Sequence, residues 1–219
     1  FLPGIKLPNS IIYESELSAA INANEILVFA IPTQFIRSIL QNINAETLLS
    51  KTIVNLAKGI ETSTLKRISE IFIEFAGSGI MNNYCALTGP SHSEEVSLMK
   101  PTSIIAASVS GDCAKCIQNL FNNNYFRVYT NNDLTGAEIG GAVKNIIAIA
   151  AGVCDGLALG DNARAALITR GLAEITRLGV AFGANERTFA GLSGLGDLVV
   201  TCGSKHSRNY NCGLLLAKG

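Results

Sequence analysis

The sequence has no excess of either charge, because 17 Lys and Arg side chains balance 17 Asp and Glu side chains over 219 residues. A protein that binds nucleic acid through its phosphates needs a basic excess, so the composition argues against nucleic acid as the main partner. The sequence also lacks an uncharged apolar run of about 18 residues, the length typical of a transmembrane helix. Asp155 interrupts the best candidate, residues 146–159. We therefore expect no membrane insertion.

Cysteine occurs, but not in the pattern of a disulfide framework or a zinc site. The six cysteines are scattered through apolar or mixed segments: Cys85, Cys113, Cys116, Cys154, Cys202 and Cys212. Cys113 and Cys116 form one CxxC without a second, inside a predicted surface helix at 111–121. A metal or redox role is the alternative to plain helix residues, which we favour. Because a disulfide framework is absent, we expect a reducing, cytoplasmic setting and no bound metal.

A glycine-rich phosphate loop directly after a strand is also absent. The GSG at 77–79 has no third glycine, and GLSGLGD at 191–197 has a different order and no strand before it. A dinucleotide-binding sheet normally begins with a strand–loop–helix unit of about 30 residues that carries this loop. The chain starts at Phe1 without a signal-peptide pattern and ends just after an amphipathic run at 210–218. We expect truncation at both ends, with the first βαβ unit and the last helices missing.

Apolar side chains are abundant, at 48% of residues, and short continuous apolar runs alternate along the chain with segments of helical apolar spacing. Short apolar runs predict buried strands at 25–32, 52–59, 84–90, 102–108 and 125–130. Helical spacing between them predicts helices at 15–23, 33–43 and 61–75, with Phe35 and Leu65 among the inward residues, and at 111–122. This alternation is typical of a doubly wound, parallel α/β sheet.

After Asp133 the strand signals stop, and residues to Gly219 read as helix and loop, so we expect a second unit from about residue 135. Its first helix carries Lys144 on a strip of small residues that includes Gly141 and Gly152, and such residues let another helix backbone or a ligand approach closely. The opposite face of this helix, with Ile146, Ile149, Ala150 and Val153, is expected to form the core. Lys144 has two interpretations. It is either a packing-face lysine that reaches water, or a partly desolvated lysine that acts as an acid or base.

Candidate ligand-binding residues follow three predicted strands and recur near the end of the chain. The three strand ends are 32–35, 58–59 and 88–91, and in α/β sheets ligands bind beyond the carboxyl ends of the strands. Farther along, Asp197 follows a glycine-rich bend, and Arg208 starts a predicted helix, where a guanidinium and the helix N-terminus both suit a phosphate. Ordinary strand-to-helix turns and a solvated basic turn are the alternatives.

Several blocks together resemble one family of enzymes. They are AKGIE (57–61), LTGPS (87–91), GGAVKNIIAIAAGVCDGL (140–157), NARAALITRGLAEI (162–175), TFAGLSGLGDLVVTC (188–202) and SRN (207–209). On these blocks the chain is similar to the bacterial-type NAD(P)-dependent glycerol-3-phosphate dehydrogenases. The resemblance implies a partial NAD(P)-binding Rossmann-like domain at 1–134 and a partial all-helical substrate and catalytic domain at 135–219. It also implies reduction of dihydroxyacetone phosphate to sn-glycerol 3-phosphate, a precursor of glycerophospholipids, with NAD or NADP as cofactor.

The resemblance also implies roles for individual residues. Lys144 takes the place of the proton-transferring lysine, and Lys58 that of a lysine contacting both substrate and cofactor. The further substrate contacts it implies are Gly89, Ser91, Asp197, Ser207, Arg208 and Asn209. The cofactor contacts it implies are Phe35, Lys58, Ser93 and Arg208. Ser93 stands where the family usually has alanine, since Ser91-His92-Ser93 replaces the usual Ser-Phe-Ala.

Three other functions stay open at this point. The chain could be a related reductase of a 2-keto acid, a non-catalytic fragment of a dehydrogenase, or a Schiff-base lysine enzyme. We expect a small-molecule substrate as partner, and a homodimer stays open as the assembly.

Overall fold

The computed structural model describes residues 2–219. Within them one five-stranded sheet runs in chain order, with strands β1 (Ile26–Phe29), β2 (Thr52–Asn55), β3 (Tyr84–Thr88), β4 (Thr102–Ala107) and β5 (Phe126–Asn131). Each strand lies within or one residue beyond a predicted apolar run. The apolar runs of β2, β3 and β4 are largely buried because helices cover both faces of the sheet, whereas β1 and β5 at its edges are partly exposed.

The sheet is not wholly parallel, which corrects the prediction in one respect. β1, β2 and β3 are parallel to each other, as are β4 and β5, but β3 and β4 are antiparallel. A parallel crossover must return the chain to the opposite edge of the sheet, usually through an α-helix. The link from Thr88 to Thr102 contains only the five-residue helix α5 (Ser93–Ser97), which is too short for that return, so the chain stays at one edge. The carboxyl ends of β1–β3 therefore share an edge with the amino ends of β4 and β5.

The helices of this part are α1 (Leu17–Asn22), α2 (Thr33–Leu40), α3 (Ala45–Leu49), α4 (Ile68–Ala76), α5 (Ser93–Ser97) and α6 (Gly111–Phe121), with a 3₁₀ turn at Ser78–Asn82. Two predicted inward residues are exposed. Phe35 is 60% exposed in the first turn of α2. Leu65 has a φ of 59° and lies in a turn, because the chain at 61–67 doubles back through a bridge between Ile60 and Arg67 and α4 begins only at Ile68.

Helices cover both faces of the sheet, as a doubly wound arrangement requires. On one face α2 and α4 pack through Ile36 and Phe72, and Phe72 lies 5.0 Å from Phe29 and 5.2 Å from Tyr84 between ring centroids. On the other face Ile117 of α6 packs on the alternate strand residues. The doubly wound α/β prediction is confirmed.

Residues 134–219 contain helices and no strand. They are α7 (Leu134–Gly156), α8 (Asp161–Ala181), α9 (Glu186–Phe189), a π-helical turn (Leu192–Gly196), α10 (Asp197–Gly203) and α11 (Arg208–Leu216). Helix α7 packs against α8, α10, α11 and β3, so it lies at the centre of the helical part and also contacts the sheet.

The buried side of α7 is the strip of small residues, not the aliphatic stripe that the sequence favoured. Ala148, Ala151 and Gly152 are buried, whereas Ile146 is 67% exposed. The reason is a close crossing of α7 and α11. A Cβ on Gly152 would lie 2.0 Å from the Tyr210 carbonyl oxygen, and one on Gly213 would lie 2.0 Å from the Ile149 carbonyl oxygen. Small residues here make room for another backbone.

By length and composition alone, α7 is also apolar enough to cross a membrane, within the residues described. More than half of its most apolar window is buried inside the fold, where the other helices cover it. The core helix of a globular protein satisfies the same criterion, and we interpret α7 as such a helix.

Candidate active site

Lys58 follows β2 and lies at the edge of the sheet where this strand ends. Just beyond the strand, the Asn55 side chain bonds both the N–H and the carbonyl of Ala57, and the Thr33 hydroxyl donates to the Lys58 carbonyl at 3.1 Å. Gly59 follows with a φ of 143°, and a Cβ there would lie 2.8 Å from the Thr33 hydroxyl oxygen. The turn thus requires glycine, and it fixes the backbone from which Lys58 extends.

Lys144, Lys58 and Asp197 form a charged triad at this edge. The Asp197 carboxylate accepts from Lys144 Nζ at 2.5 Å through Oδ1 and from Lys58 Nζ at 2.6 Å through Oδ2. Asp197 is 2% exposed and Lys144 is 8% exposed. Charges this well buried need partners, and one carboxylate held between two ammonium groups supplies them.

The environment of Lys144 favours its neutral form. The pKa of Lys144 is lowered from 10.5 to about 8, because burial and the nearby Lys58 cation disfavour the charged form more than Asp197 favours it. A lysine with this pKa exchanges a proton near neutral pH, which suits general acid–base chemistry. The interpretation of Lys144 as a partly desolvated lysine therefore fits better than a lysine that reaches water.

Thr201 is a fourth member of the site that the sequence analysis did not identify. Its hydroxyl accepts from Lys144 Nζ at 2.7 Å and donates to the Asp197 carbonyl at 2.5 Å. The signal was its position four residues after Asp197, which places both on one face of a short helix.

The β3 turn adds backbone acceptors beside Lys58. Gly89 has a φ of 143°, and a Cβ on it would meet the Ile104 Cα at 3.0 Å, so glycine is required. Its carbonyl accepts from Lys58 Nζ and from the Ser91 hydroxyl, each at 3.2 Å. One residue earlier, the buried Thr88 hydroxyl has no hydrogen-bond partner among residues 2–219 and lies between Lys58 and α7. An unpaired buried hydroxyl at this place suits a polar ligand atom.

A cleft of about 520 Å³ opens beside Lys58 and Ser91. Lys144 and Asp197 do not line it and lie behind Lys58. Its walls are mainly apolar, and the lining residues include Leu56, Leu87, Val96, Ile104 and Phe126. A cleft of this size with apolar walls and a few polar groups suits a flat ring such as nicotinamide. The residues therefore fit the nicotinamide end of a dinucleotide.

The GLSGLGD segment serves packing, not phosphate binding. A Cβ on Gly194 would lie 2.2 Å from the Phe189 carbonyl oxygen, and one on Gly140 of α7 would lie 2.6 Å from the Ser193 carbonyl oxygen. The segment presses against α7 and thereby places Asp197 at the start of α10.

The basic segment 205–209 leads into α11. The Ser207 hydroxyl is buried and caps α11 by accepting the Tyr210 N–H at 3.2 Å. Arg208 is exposed as the first residue of α11, and Asn209 follows it, half-buried. Within residues 2–219 no hydrogen bond joins Phe35, Ser93 or 207–209 to Lys58, Lys144 or Asp197. The structure thus brings together Lys58, Gly89, Ser91, Lys144 and Asp197, and leaves the other candidates around them.

His206, in the same segment, contacts the sheet part. Its ring centroid lies 5.8 Å from that of His92, and its Nδ1 lies 4.0 Å from a Glu94 carboxylate oxygen. Across residues 2–219 no group of three or more His, Cys, Asp or Glu side chains is placed to hold a metal ion. Cys113 is buried and Cys116 exposed, and both are free thiols.

Two family models match the chain. The model described as the N-terminus of NAD-dependent glycerol-3-phosphate dehydrogenase matches residues 1–114, and the one described as its C-terminus matches residues 133–219. These matches confirm the resemblance that the sequence blocks indicated.

Curated relatives agree with the family models. The NAD(P)+ glycerol-3-phosphate dehydrogenase of Geobacillus kaustophilus is 54% identical over 220 residues, a match that covers 100% of this chain and 64% of the relative. That of Carboxydothermus hydrogenoformans is 51% identical over 219 residues, covering 100% of this chain and 65% of the relative. The chain thus spans slightly less than two thirds of the length of these relatives.

Solved structures share the fold. Glycerol-3-phosphate dehydrogenase from Coxiella burnetii superposes with a TM-score of 0.91 at 34% identity, covering 100% of this chain and 66% of that one. The DsGPDH of Dunaliella salina superposes with a TM-score of 0.89 at 25% identity, covering 100% of this chain and 37% of that one.

Proposed function

This chain belongs to the NAD-dependent glycerol-3-phosphate dehydrogenase family, and we propose that it carries the reactive centre for reducing dihydroxyacetone phosphate to sn-glycerol 3-phosphate. The observation that carries the proposal is the Asp197 carboxylate held between Lys58 and Lys144, with the pKa of Lys144 lowered to about 8. The product would serve glycerophospholipid synthesis, and we place the reaction in the cytoplasm.

In this proposal Lys144 is the general acid. The nicotinamide of NADH or NADPH, when bound, supplies a hydride to C2 of the substrate. Lys144 Nζ gives one proton to the C2 oxygen, which becomes the hydroxyl, and Lys144 is left neutral. In the oxidative direction the neutral amine takes that proton back. General acid–base catalysis of this kind contributes about 10²–10⁴-fold.

Asp197, Thr201 and Lys58 hold and tune that lysine. Asp197 Oδ1 and the Thr201 hydroxyl fix the direction of the Nζ group. Lys58 lowers the pKa of Lys144 through its charge and also presents an ammonium group to the C2 oxygen. Asp197 keeps the two cations together at a distance that would otherwise be repulsive.

The remaining candidates would bind the substrate and cofactor. Arg208 and Asn209, with Ser207 at the helix start, would hold the phosphate group, so that binding energy remote from C2 orients the carbonyl. Gly89 and Ser91 would contact the substrate at the β3 turn. Phe35, Lys58, Ser93 and Arg208 would contact the cofactor, without a metal ion, and of these Lys58 lines the cleft.

We further propose a boundary between a partial cofactor domain, 1–134, and a partial helical substrate domain, 135–219. β5 ends at Asn131 and α7 starts at Leu134, which supports a boundary there. We propose a homodimer without membrane insertion as the assembly, to be tested by sedimentation.

The decisive experiment offers one purified protein several substrates and follows NADH and NADPH oxidation. The assay uses this 219-residue chain and a form extended to the length of its relatives. We expect the extended form to oxidise the cofactor with dihydroxyacetone phosphate and not with 2-keto acids. Turnover of a keto acid alone would favour a related reductase. If only the shorter chain fails, and it also fails to quench NADPH fluorescence, it is a non-catalytic fragment of an active enzyme.

A further inference from the structure

A buried polar network outside the triad joins α7 to the sheet. Its centre is Glu138 of α7, which is 8% exposed. One carboxylate oxygen accepts from the Ser69 N–H at 2.9 Å and from the Tyr84 hydroxyl at 3.0 Å. The other accepts from the Ser69 hydroxyl at 2.6 Å and from Arg67 Nη1 at 2.9 Å. Two elements of the sheet part, α4 and β3, thus hold one side chain of the helical part.

Both oxygens of the Glu138 carboxylate are satisfied, and the network is expensive to break, although within residues 2–219 the buried Arg67 Nε has no partner. Burial raises the pKa of Glu138, whereas the Ser69 hydrogen bonds and the Arg67 charge act in the opposite direction. Four donors converging on two oxygens suit a carboxylate, because a protonated acid would place a hydrogen against one of them. Loss of one partner from such a cluster leaves buried polar groups unpaired, so the arrangement specifies one position for α7.

The network lies close to the triad along the same helix. From position 138 to position 144, α7 rises about 9 Å. Between them Gly141 presses on Lys58, since a Cβ there would lie 3.3 Å from the Lys58 Cγ. A shift of α7 at Glu138 therefore changes how closely α7 meets Lys58.

The partners of Lys144 divide between the two parts of the molecule. Asp197 and Thr201 belong to α10, which packs on α7. Lys58 belongs to the end of β2. The spacing of Lys144 and Lys58 thus depends on contacts between α7 and the sheet, and Glu138 makes buried polar contacts of this kind.

We propose that Glu138 is a positioning residue: its bonds to Arg67, Ser69 and Tyr84 hold α7 against the sheet, so that Lys144 stays beside Lys58. The inference rests on the proposed function only in that Lys144 is the proton donor there.

The test measures the titration midpoint of Lys144 itself, without substrate or cofactor. Competitive acetylation across a pH series, read by mass spectrometry of the Lys144 peptide, gives this midpoint for wild type, Glu138→Gln and Glu138→Ala. We expect a midpoint of about 8 in wild type. In both variants it should rise by about half a unit or more, because Lys144 becomes better hydrated and more distant from Lys58. In the extended enzyme kcat should fall while KM changes little.

Glu70→Gln is the matched control. Glu70 pairs with the same Arg67 at 3.1 Å, but its side chain is 38% exposed and it belongs to α4 alone. Its Lys144 midpoint should equal that of wild type. An unchanged midpoint in folded Glu138 variants would overturn the proposal, and so would an equal rise in Glu70→Gln. If circular dichroism shows that Glu138→Ala does not fold, the Lys144 midpoints of Glu138→Gln and Tyr84→Phe test the proposal instead. Because the measurement needs no turnover, an inactive wild type would count against the proposed function and not against this role.

Discussion

At the scale of single residues, the site depends on one carboxylate that pairs with two lysine side chains. Asp197 is almost fully buried and gives one oxygen to each lysine. The two lysines come from positions far apart in the chain, and the carboxylate offsets the cost of burying Lys144. The lowered pKa of Lys144 results from its burial and from the Lys58 cation, and Asp197 limits the shift.

Replacement of Lys144 should separate catalysis from binding. In the extended enzyme, Lys144→Ala should lower kcat by about 10²–10⁴-fold, with little change in KM, because the proton donor is lost and the phosphate contacts remain. Arg208→Ala should mainly raise KM. Lys115→Ala, at an exposed position of α6, is the control and should behave as wild type. Near-normal turnover in Lys144→Ala would refute its assignment as the acid.

The pH dependence follows from the same lysine, and its sign is fixed. Carbonyl reduction needs the protonated form, so kcat should fall as pH rises through about 8, while the oxidative rate should rise over the same range. Lys58→Met removes a cation beside Lys144 and should raise the pH at which kcat for reduction falls. Asp197→Asn removes the opposing anion and should lower that pH. Shifts of equal sign in stopped-flow pH profiles of the two variants would contradict this account.

At the scale of helices and strands, the crossing of α7 and α11 explains the glycines on both helices. Gly152 and Gly213 each face the other helix's backbone with no space for a Cβ. This crossing seats α11, and with it the exposed Arg208, beside the helix that carries Lys144.

Gly152→Ala should therefore destabilise the protein. We expect a loss of about 1–3 kcal/mol or more in the free energy of unfolding, since the helices must separate to admit one methyl group. Gly203→Ala is the control, because nothing lies within 4 Å of a Cβ at the end of α10. Urea titration followed by circular dichroism measures both. Equal stability of the two variants would mean that the crossing tolerates expansion.

The sequence predicted the positions of the helices and strands better than it predicted their direction or which of their sides is buried. Runs such as 84–90 fixed the strands, because an apolar run between turn residues leaves few other structures. It did not predict that β4 runs antiparallel to β3, since strand direction depends on the path of the connection. It indicated that the small strip of α7 suits a close helix contact, but it placed the core on the aliphatic face, because hydrophobicity alone does not reveal which face the other helices cover. Lys144 and Asp197 were identified from the sequence, but Thr201 was not, since its contact with Lys144 depends on how α10 packs on α7.

At the scale of the whole molecule, the outer edge of the sheet is open within residues 2–219. β1 pairs with β2 on one side only, and Val28 in its middle is 47% exposed. A mainly apolar hollow of about 330 Å³ lies along it, lined by residues of α1, β1 and α2. An uncovered apolar strand edge is a template for pairing with another chain.

We expect the 219-residue chain to associate as its concentration rises, and Val28→Lys to reduce this association, because a charge at an edge strand opposes pairing. Val199→Lys is the matched control, with 49% exposure on a helix, where no strand edge exists. Light scattering across a concentration series compares the three proteins. Equal reduction by both lysines would indicate a general effect of charge and not an open edge.

The shared carboxylate has a consequence for the order of events in a catalytic cycle. With two ammonium groups and one carboxylate, the triad carries one positive charge before the proposed reaction, which would attract the phosphate-bearing substrate proposed above toward the edge of the sheet. Once Lys144 has given up its proton, the triad is neutral and that attraction is gone. The proton that completes the alcohol would thus also weaken the hold on the product, and reprotonation of Lys144 from solvent would restore the attraction for the next substrate.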